Sequence, residues 1–419
     1  MEHDRNIDVY SLPIKELELR VREYYKVKNT GIKCIGELVK YDESRLLKLL
    51  GTVYAGRKTL NDIKEALAKK DLSLGMETQG WESPFKGRLS SFEFNKWMLI
   101  KDYPPIISNS NKQIVFDLGK KCHSDDLFPI HFSRWQMQAL PTTFESICDI
   151  YKSTNLEGVF KYEISDTDWK DWHMNFAHEE LFACYGSSLF AQDEMQVAEH
   201  QILASLRECL IDKNIIRLTE DSGVATPILI QNVERCCSID IAPNNSEGRP
   251  NGLYGNNFAA APPEAVIKAT RRLNLTTTSN IIAMESPPLG KGKYTRDQIE
   301  FILQTAYTGF RAAVNETKWA HKEYKIAIHT GYWGCGAYGG NRELMSLLQI
   351  IAARLAKVDN LVFHTGNDST SYKNALKIID KLMLDESLQG DSKVPQYCTN
   401  QLIDDITAMG FQWGVGNGT

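Results

Sequence analysis

Residues 324–329 (YKIAIH) form a short apolar run, and residues 342–358 carry Leu344, Leu347, Leu348, Ile351, Ala352 and Leu355 at helical spacing. The first pattern predicts a buried strand and the second an amphipathic helix. The same two patterns recur elsewhere. Residues 225–231 (ATPILIQ), 279–284 (SNIIAM) and 361–364 read as short buried strands bounded by polar residues, while 296–316 and 371–384 read as helices. Residues 138–154 and 193–213 also look helical. Strands alternating with helices predict an α/β fold, a mixed or parallel sheet with helices on both faces, in which ligands bind beyond the carboxyl ends of strands. Residues 88–136 are aromatic and broken by Pro104 and Pro105; they are expected to cap the sheet rather than belong to it. The tail from Gly410 is expected to fray.

Residues 1–76 follow a different plan. Short helices are expected from Pro13, over 35–40, 42–50 and 56–68, with Gly31, Gly36, Gly51 and Gly56 at the joints. This describes a small all-α domain of the helix-hairpin-helix type, whose turns can offer backbone N–H groups to phosphates. The segment holds 15 Lys and Arg against 12 Asp and Glu, mildly basic within a protein of net charge −5. Residues 77–87 read as a linker, 88–170 as an accessory segment of the domain that follows, and 171–419 as its core.

Composition narrows the class. With 419 residues, 42% hydrophobic and 24% charged, the protein is long enough for two or three domains with real cores. No apolar run approaches the roughly 20 residues of a membrane span, so no membrane partner is expected. Nine cysteines at irregular spacing argue against a disulfide framework. A cytoplasmic location is the expectation, and delivery into another cell's cytosol would look the same. No CxxC or HExxH occurs, so neither a metal nor any other cofactor is expected.

Two stretches carry candidate chemistry. The loop from Thr330 to Asn341 joins the strand at 324–329 to the helix at 342–358 and contains five glycines. Glycines let backbone N–H groups close on an anion, and a helix N-terminus adds a partial positive charge. A strand-to-helix connection also uses glycines merely to turn, and composition does not separate the two. Cys335 within it is either a thiol activated by the helix end or a small side chain packed beneath a tight loop. The second stretch, Gln192-Asp193-Glu194, opens a helical segment. Two adjacent carboxyls can divide tasks, one ionised and the other held protonated as a general acid, although acidic residues in a first helical turn also simply complement the helix dipole.

Both stretches resemble the poly(ADP-ribose) glycohydrolase family. The run Thr330-Gly331-Tyr332-Trp333-Gly334-Cys335-Gly336-Ala337-Tyr338-Gly339-Gly340 is similar to the family's C-terminal loop, and the likeness continues through 344–353 (LMSLLQIIAA). The family's Phe-Ala followed after fourteen residues by Gln-Glu-Glu is matched by Phe176-Ala177 and Gln192-Asp193-Glu194, and Ala306-Tyr307-Thr308-Gly309-Phe310 resembles a third motif. The resemblance implies a macrodomain-like core and an ADP-ribosyl hydrolase. It implies Glu194 as proton donor to the leaving oxygen, Asp193 on the ribose hydroxyls and Gly334, Cys335, Gly336, Ala337 and Tyr338 around the diphosphate. Gln192, Trp333 and Tyr254, the last as an adenine stack, complete the implied ligand site. The family's Gly-Gly-Gly is replaced by Phe182-Ala183-Cys184, whose side chains are expected to close the space of a polymer end and to favour single ADP-ribose groups. Its flanking Asp and Asn become Asn175 and His178, and its first Glu becomes Asp193. A non-catalytic ADP-ribose reader is the alternative.

Residues 1–76 are similar to the C-terminal domain of the bacterial RNA polymerase alpha subunit, down to the ending Leu72-Ser73-Leu74-Gly75-Met76. That family's DNA contacts would fall on Arg22, Arg57 and Lys58, so the resemblance implies a DNA or protein contact and, as a further alternative, a regulator built around this domain. Tyr25 replaces a nearby Asn of that family.

Overall fold

The computed structural model describes residues 9–51, 53–78, 83–119, 128–145, 152–163, 165–320, 323–387 and 396–416. The protein divides into two compact units, Met1–Lys86 with Lys318–Lys322, and Gly87–Thr317 with Glu323–Thr419. Of the expected linker, 79–82 lie outside the described residues.

The smaller unit is helical, with helices Val21–Asn29, Ile35–Val39, Glu43–Leu50 and Val53–Ala68. Val27, Ile35, Leu38, Leu46, Ile63 and Leu67 form its core. Asp42 caps the third helix by accepting from Arg45 N at 2.8 Å. The continuous helix expected from Pro13 does not form. One 3₁₀ turn, Ile14–Leu17, ends at Glu18 in the left-handed region (φ 49°), and the helix restarts at Val21.

The larger unit is built on one eight-stranded mixed sheet flanked by helices, the α/β macrodomain-like class expected. Its strands are β1 (Arg88–Phe94), β2 (Ile130–Trp135), β3 (Lys152–Leu156), β4 (Trp169–Phe176), β5 (Ile228–Ile239), β6 (Thr270–Met284), β7 (Lys325–Gly331) and β8 (Asn360–His364). They lie in the order β1-β2-β5-β6-β4-β7-β8-β3. β1, β2, β5 and β6 pair antiparallel, whereas β6, β4, β7, β8 and β3 run parallel. Five carboxyl ends therefore open on one edge of the sheet, at Met284, Phe176, Gly331, His364 and Leu156. Ile230, Ile281, Leu203, Leu206 and Phe132 are buried together in the core.

Four expectations give way here. Residues 88–136 supply β1 and β2 to the sheet instead of capping it, with the helices Lys96–Asp102 and Ser110–Gly119 between them. The helix expected over 138–154 is absent from its described parts: Thr143–Glu145 pairs with Gln396–Cys398, and β3 begins at Lys152, while 146–151 lie outside the described residues. The helix over 193–213 is two helices, Gln192–Glu199 and Ile202–Asp212. Between them His200 is buried and bonded through Nδ1 to Gln196 O and through Nε2 to Ser279 Oγ on β6, each at 2.9 Å, so a tertiary tie overrides local periodicity. The tail does not fray over its described part. Trp413 stacks on Tyr294 with centroids 4.1 Å apart, and Gly414 N donates to Gly339 O at 2.8 Å. Residues 417–419 lie outside the described residues.

Candidate active site

The helix that carries the acidic pair is stitched to the end of β4. Phe176 N donates to Gln192 Oε1 at 2.7 Å, and Gln192 Nε2 donates to Met174 O at 3.0 Å, so this amide extends the strand's hydrogen bonding. Gln192 lines the cavity, but its polar atoms are engaged in holding the helix start. Asp193 and Glu194 follow, 6% and 3% exposed. Asn175 Nδ2 donates to Asp193 Oδ1 at 3.0 Å, which favours the carboxylate. Glu194 Oε2 accepts the N–H of Ala191 at 2.9 Å, capping its own helix.

Burial raises the proton affinity of both carboxyls. It and the adjacent Glu194 push Asp193 up to about 7, and burial raises Glu194 against the pull of the Lys112 ammonium and the Ala191 N–H. Two carboxyls this close titrate as one system. Near neutrality the pair retains a proton, the state a general acid requires.

The glycine loop stands opposite. Within it Trp333 N donates to Gly331 O, Cys335 N to Tyr332 O and Gly340 N to Gly334 O. Among the described residues the N–H groups of Gly334, Gly336, Ala337 and Tyr338 have no acceptor, which leaves four donors in one short curve of backbone. Such a curve is an anion nest. The following helix contributes less than expected. Asn341 Oδ1 already accepts from Glu343 N at 3.1 Å and Leu344 N at 3.0 Å, so the helix end is capped from within. Gly334 sits at φ 71°, and a Cβ there would lie 2.3 Å from Ser286 Oγ, so only glycine lets the loop descend this far.

Gln192, Asp193, Glu194, Tyr254, Trp333, Gly334, Cys335, Gly336, Ala337 and Tyr338 all line one cavity of about 1010 Å³. Their individual surroundings differ. Trp333 is buried with Nε1 donating to Met284 O at 3.1 Å, which makes it a strut beneath the loop. Cys335 is half-buried, and burial pushes its thiol up to about 12, away from the activation a helix end would give. Tyr338 Oη donates to Glu285 Oε1 at 2.9 Å, and burial raises Glu285 to about 7. Tyr254 is close enough to Glu194 for that charge to raise its phenol, after the larger effect of burial. Arg22, Arg57 and Lys58 belong to the smaller unit and are exposed.

Phe182 behaves unlike its expectation. Its backbone lies in the left-handed region (φ 56°) and its ring is fully buried in the core, so it does not wall off the cavity. Of the three residues that replace glycines, Cys184 is the one lining the cavity.

Sequence reasoning missed three contributors. Lys112, on the helix Ser110–Gly119, is fully buried and donates to Cys184 O at 3.1 Å. Glu285, just past β6, orients Tyr338. On β4, β7 and β8 a series of hydrogen bonds runs from Asp171 Oδ1 to His329 Nε2 (3.0 Å) and from His329 Nδ1 to His364 Nε2 (3.2 Å), ending at the cavity. The polar residues of β4 were legible as a cluster only once its strand character was known. A buried lysine carries no sequence mark.

An unspent set of N–H donors in the same cavity as a buried carboxyl pair that retains a proton can bind an anion and protonate a leaving oxygen nearby. Residues 244–373 match the family described as poly(ADP-ribose) glycohydrolase, macro domain fold, and residues 2–69 match the C-terminal domain of the bacterial RNA polymerase alpha subunit. The protein is 49% identical over 71 residues to the RNA polymerase subunit alpha of Geobacter metallireducens and 43% identical over 72 residues to that of Desulfotalea psychrophila, in each case 17% of this protein and 20% of the other. It thus spans a fifth of the length of those curated relatives. Among solved structures it is similar to the Thermomonospora curvata poly(ADP-ribose) glycohydrolase bound to the inhibitor ADP-HPD (13% identity, TM-score 0.36, 55% of this protein and 79% of that one). It is also similar to the Deinococcus radiodurans enzyme in complex with ADP-ribose (12% identity, TM-score 0.34, 73% of this protein and 100% of that one).

Proposed function

We propose that this protein is a glycosidic-bond hydrolase that releases ADP-ribose from an ADP-ribosylated macromolecule. The observation that carries the reading is the shared cavity: it is lined by a loop with four unpaired N–H groups, suited to a diphosphate, and by an acidic pair that keeps a proton. In this reading the diphosphate lies in the loop from Gly334 to Tyr338. Asp193 accepts hydrogen bonds from the ribose hydroxyls, and Glu194 gives its proton to the oxygen leaving the anomeric carbon. As the bond breaks, positive charge develops on the ribose, and the carboxylates stabilise it. Water then adds to the anomeric carbon and Glu194 recovers a proton from it. The family match over 244–373 supports this reading.

The finer preference, single ADP-ribose groups over polymer, rests on Cys184. With Phe182 turned into the core, the Cys184 side chain is what narrows the cavity where the resembling family has glycine. Chromatography of the products released from singly modified and polymer-modified protein tests both levels of the proposal. A protein that binds ADP-ribose and releases none would be a reader instead.

For the smaller unit we propose a DNA contact through Arg22, Arg57 and Lys58, supported by their exposure and by the match over 2–69. DNA binding that weakens with salt and falls on Arg22→Ala is the expected result; binding indifferent to both sinks it.

A further inference from the structure

A lysine is almost never fully buried unless a partner compensates it. Lys112 is fully buried and, among the described residues, makes no ion pair at contact distance. Its ammonium donates to Cys184 O at 3.1 Å and lies 6.0 Å from the centroid of Phe190, two residues before Gln192. Its helix is fixed from behind, since Asn111 Nδ2 donates to Phe258 O at 2.8 Å and Ala261 O at 2.9 Å. The negative charges that act on it are those of Glu194 and Asp193, in that order.

Several charged or titratable groups face the acidic pair. Lys112 comes from its own helix, Arg207 from the helix Ile202–Asp212, His178 and Cys184 from the segment after β4, and Tyr254 and Tyr338 from the two loops. Arg207 shares the Glu180 carboxylate with Arg217, at 2.9 and 2.5 Å, and His178 is exposed. Of these cations Lys112 is the one that is fully buried and, among the described residues, has no carboxylate at contact distance. With one proton shared by the pair, two carboxyls and one ammonium sum to zero, the arrangement that costs least in a low-dielectric site.

We infer that Lys112 is a positioning residue for the acidic pair: its ammonium is the counter-charge that lets Asp193 and Glu194 share one proton, and it tethers the Cys184 carbonyl beside them. This inference rests on the proposed hydrolysis for its catalytic consequence and on the structure for its electrostatics. Lys112 stands behind the cavity wall and touches no reacting atom. Burial draws its own proton affinity down to about 8, so its charge weakens above that pH.

The test is Lys112→Met in the full-length protein, with Lys112→Gln as a second neutral variant should the first not fold and Lys112→Arg as the charge-preserving control. Loss of the counter-charge makes the pair hold its proton to higher pH. The alkaline limb of kcat is therefore expected to move up by about one pH unit and kcat to fall about tenfold, within the range of general-acid effects. KM is expected to change less than about twofold, as for an interaction that matters in the transition state. The upper end of the pH window over which stability to urea falls should rise in parallel, while its lower end, set by the unfolded state, stays in place; this is a readout independent of turnover. Arg is expected to restore both. A kcat loss without any shift of limb or stability curve would mean a merely structural lysine and overturn the inference. A wild type that releases no ADP-ribose overturns the hydrolase reading instead, and the urea curve still decides the charge coupling.

Discussion

Replacing Asp193 by Asn should make the protein more stable, and increasingly so as pH rises. Burial and Glu194 move Asp193 from an ordinary 3.8 to about 7. Between those values the folded state holds a proton that the unfolded state has released, so stability falls as pH rises through the window from about 4 to 7. A shift of about three units sets a ceiling of about 4 kcal/mol at pH 8, at roughly 1.4 kcal/mol per unit. Part of that belongs to the coupling with Glu194, so a gain of about 1–3 kcal/mol is expected once Asn removes the charge. Asn keeps an oxygen to accept from Asn175 Nδ2, so the hydrogen bond at 3.0 Å can survive. The assay is urea unfolding of wild type and variant at pH 4, 6 and 8. Curves that coincide at pH 4 and diverge upward for the variant support the reasoning. A constant offset across pH, or a variant less stable at pH 8, would refute it. Such a gain would also mark Asp193 as a residue kept at a cost to stability, the usual signature of a working site.

Gly334→Ala should force the loop away from Ser286, whose Oγ would lie 2.3 Å from the new Cβ at a φ of 71°. We expect about 2–4 kcal/mol of lost stability from the left-handed strain and overpacking, and ADP-ribose affinity lowered about tenfold or more by calorimetry; unchanged affinity would remove the loop from the diphosphate site. Cys184→Gly should raise turnover of polymer-modified protein relative to singly modified protein by about fivefold or more, because one cavity-lining side chain is worth roughly 1–2 kcal/mol of discrimination. An unaltered ratio would leave the preference for single groups without its support.

Sequence periodicity located the elements whose inner faces are mainly apolar. The helices at 296–316 and 342–358 and the strands at 279–284 and 324–329 are close to this kind, each carrying enough buried apolar residues to show its period despite a few buried polar ones such as Ser279, His329 and Gln349. β4 (WKDWHMNF) escaped because its polar positions serve the site: Asp171 holds His329, Asn175 holds Asp193, and His173 stacks on His329 with centroids 4.4 Å apart. β3 (KSTNL) escaped because an edge strand with polar faces carries little hydrophobic pattern. Pro104 and Pro105 break the pattern between β1 and β2 and mask the two strands on either side of them. The motif residues from 192 to 194 and 333 to 338 were legible by type and spacing, and they meet at one cavity. Phe182 combines a positive φ with a ring buried in the core, and no residue type announces that.

The central claim is that Glu194 supplies the proton while the loop holds the ligand. Glu194→Gln keeps an oxygen for the Ala191 N–H and removes the acid. With ADP-ribosylated protein as substrate and chromatography of free ADP-ribose as readout, wild type is expected to turn over and the variant to lose about 10²–10⁴-fold in kcat, with calorimetric affinity for ADP-ribose unchanged. Equal turnover by the two proteins, or a wild type that binds ADP-ribose and releases none, would contradict the account.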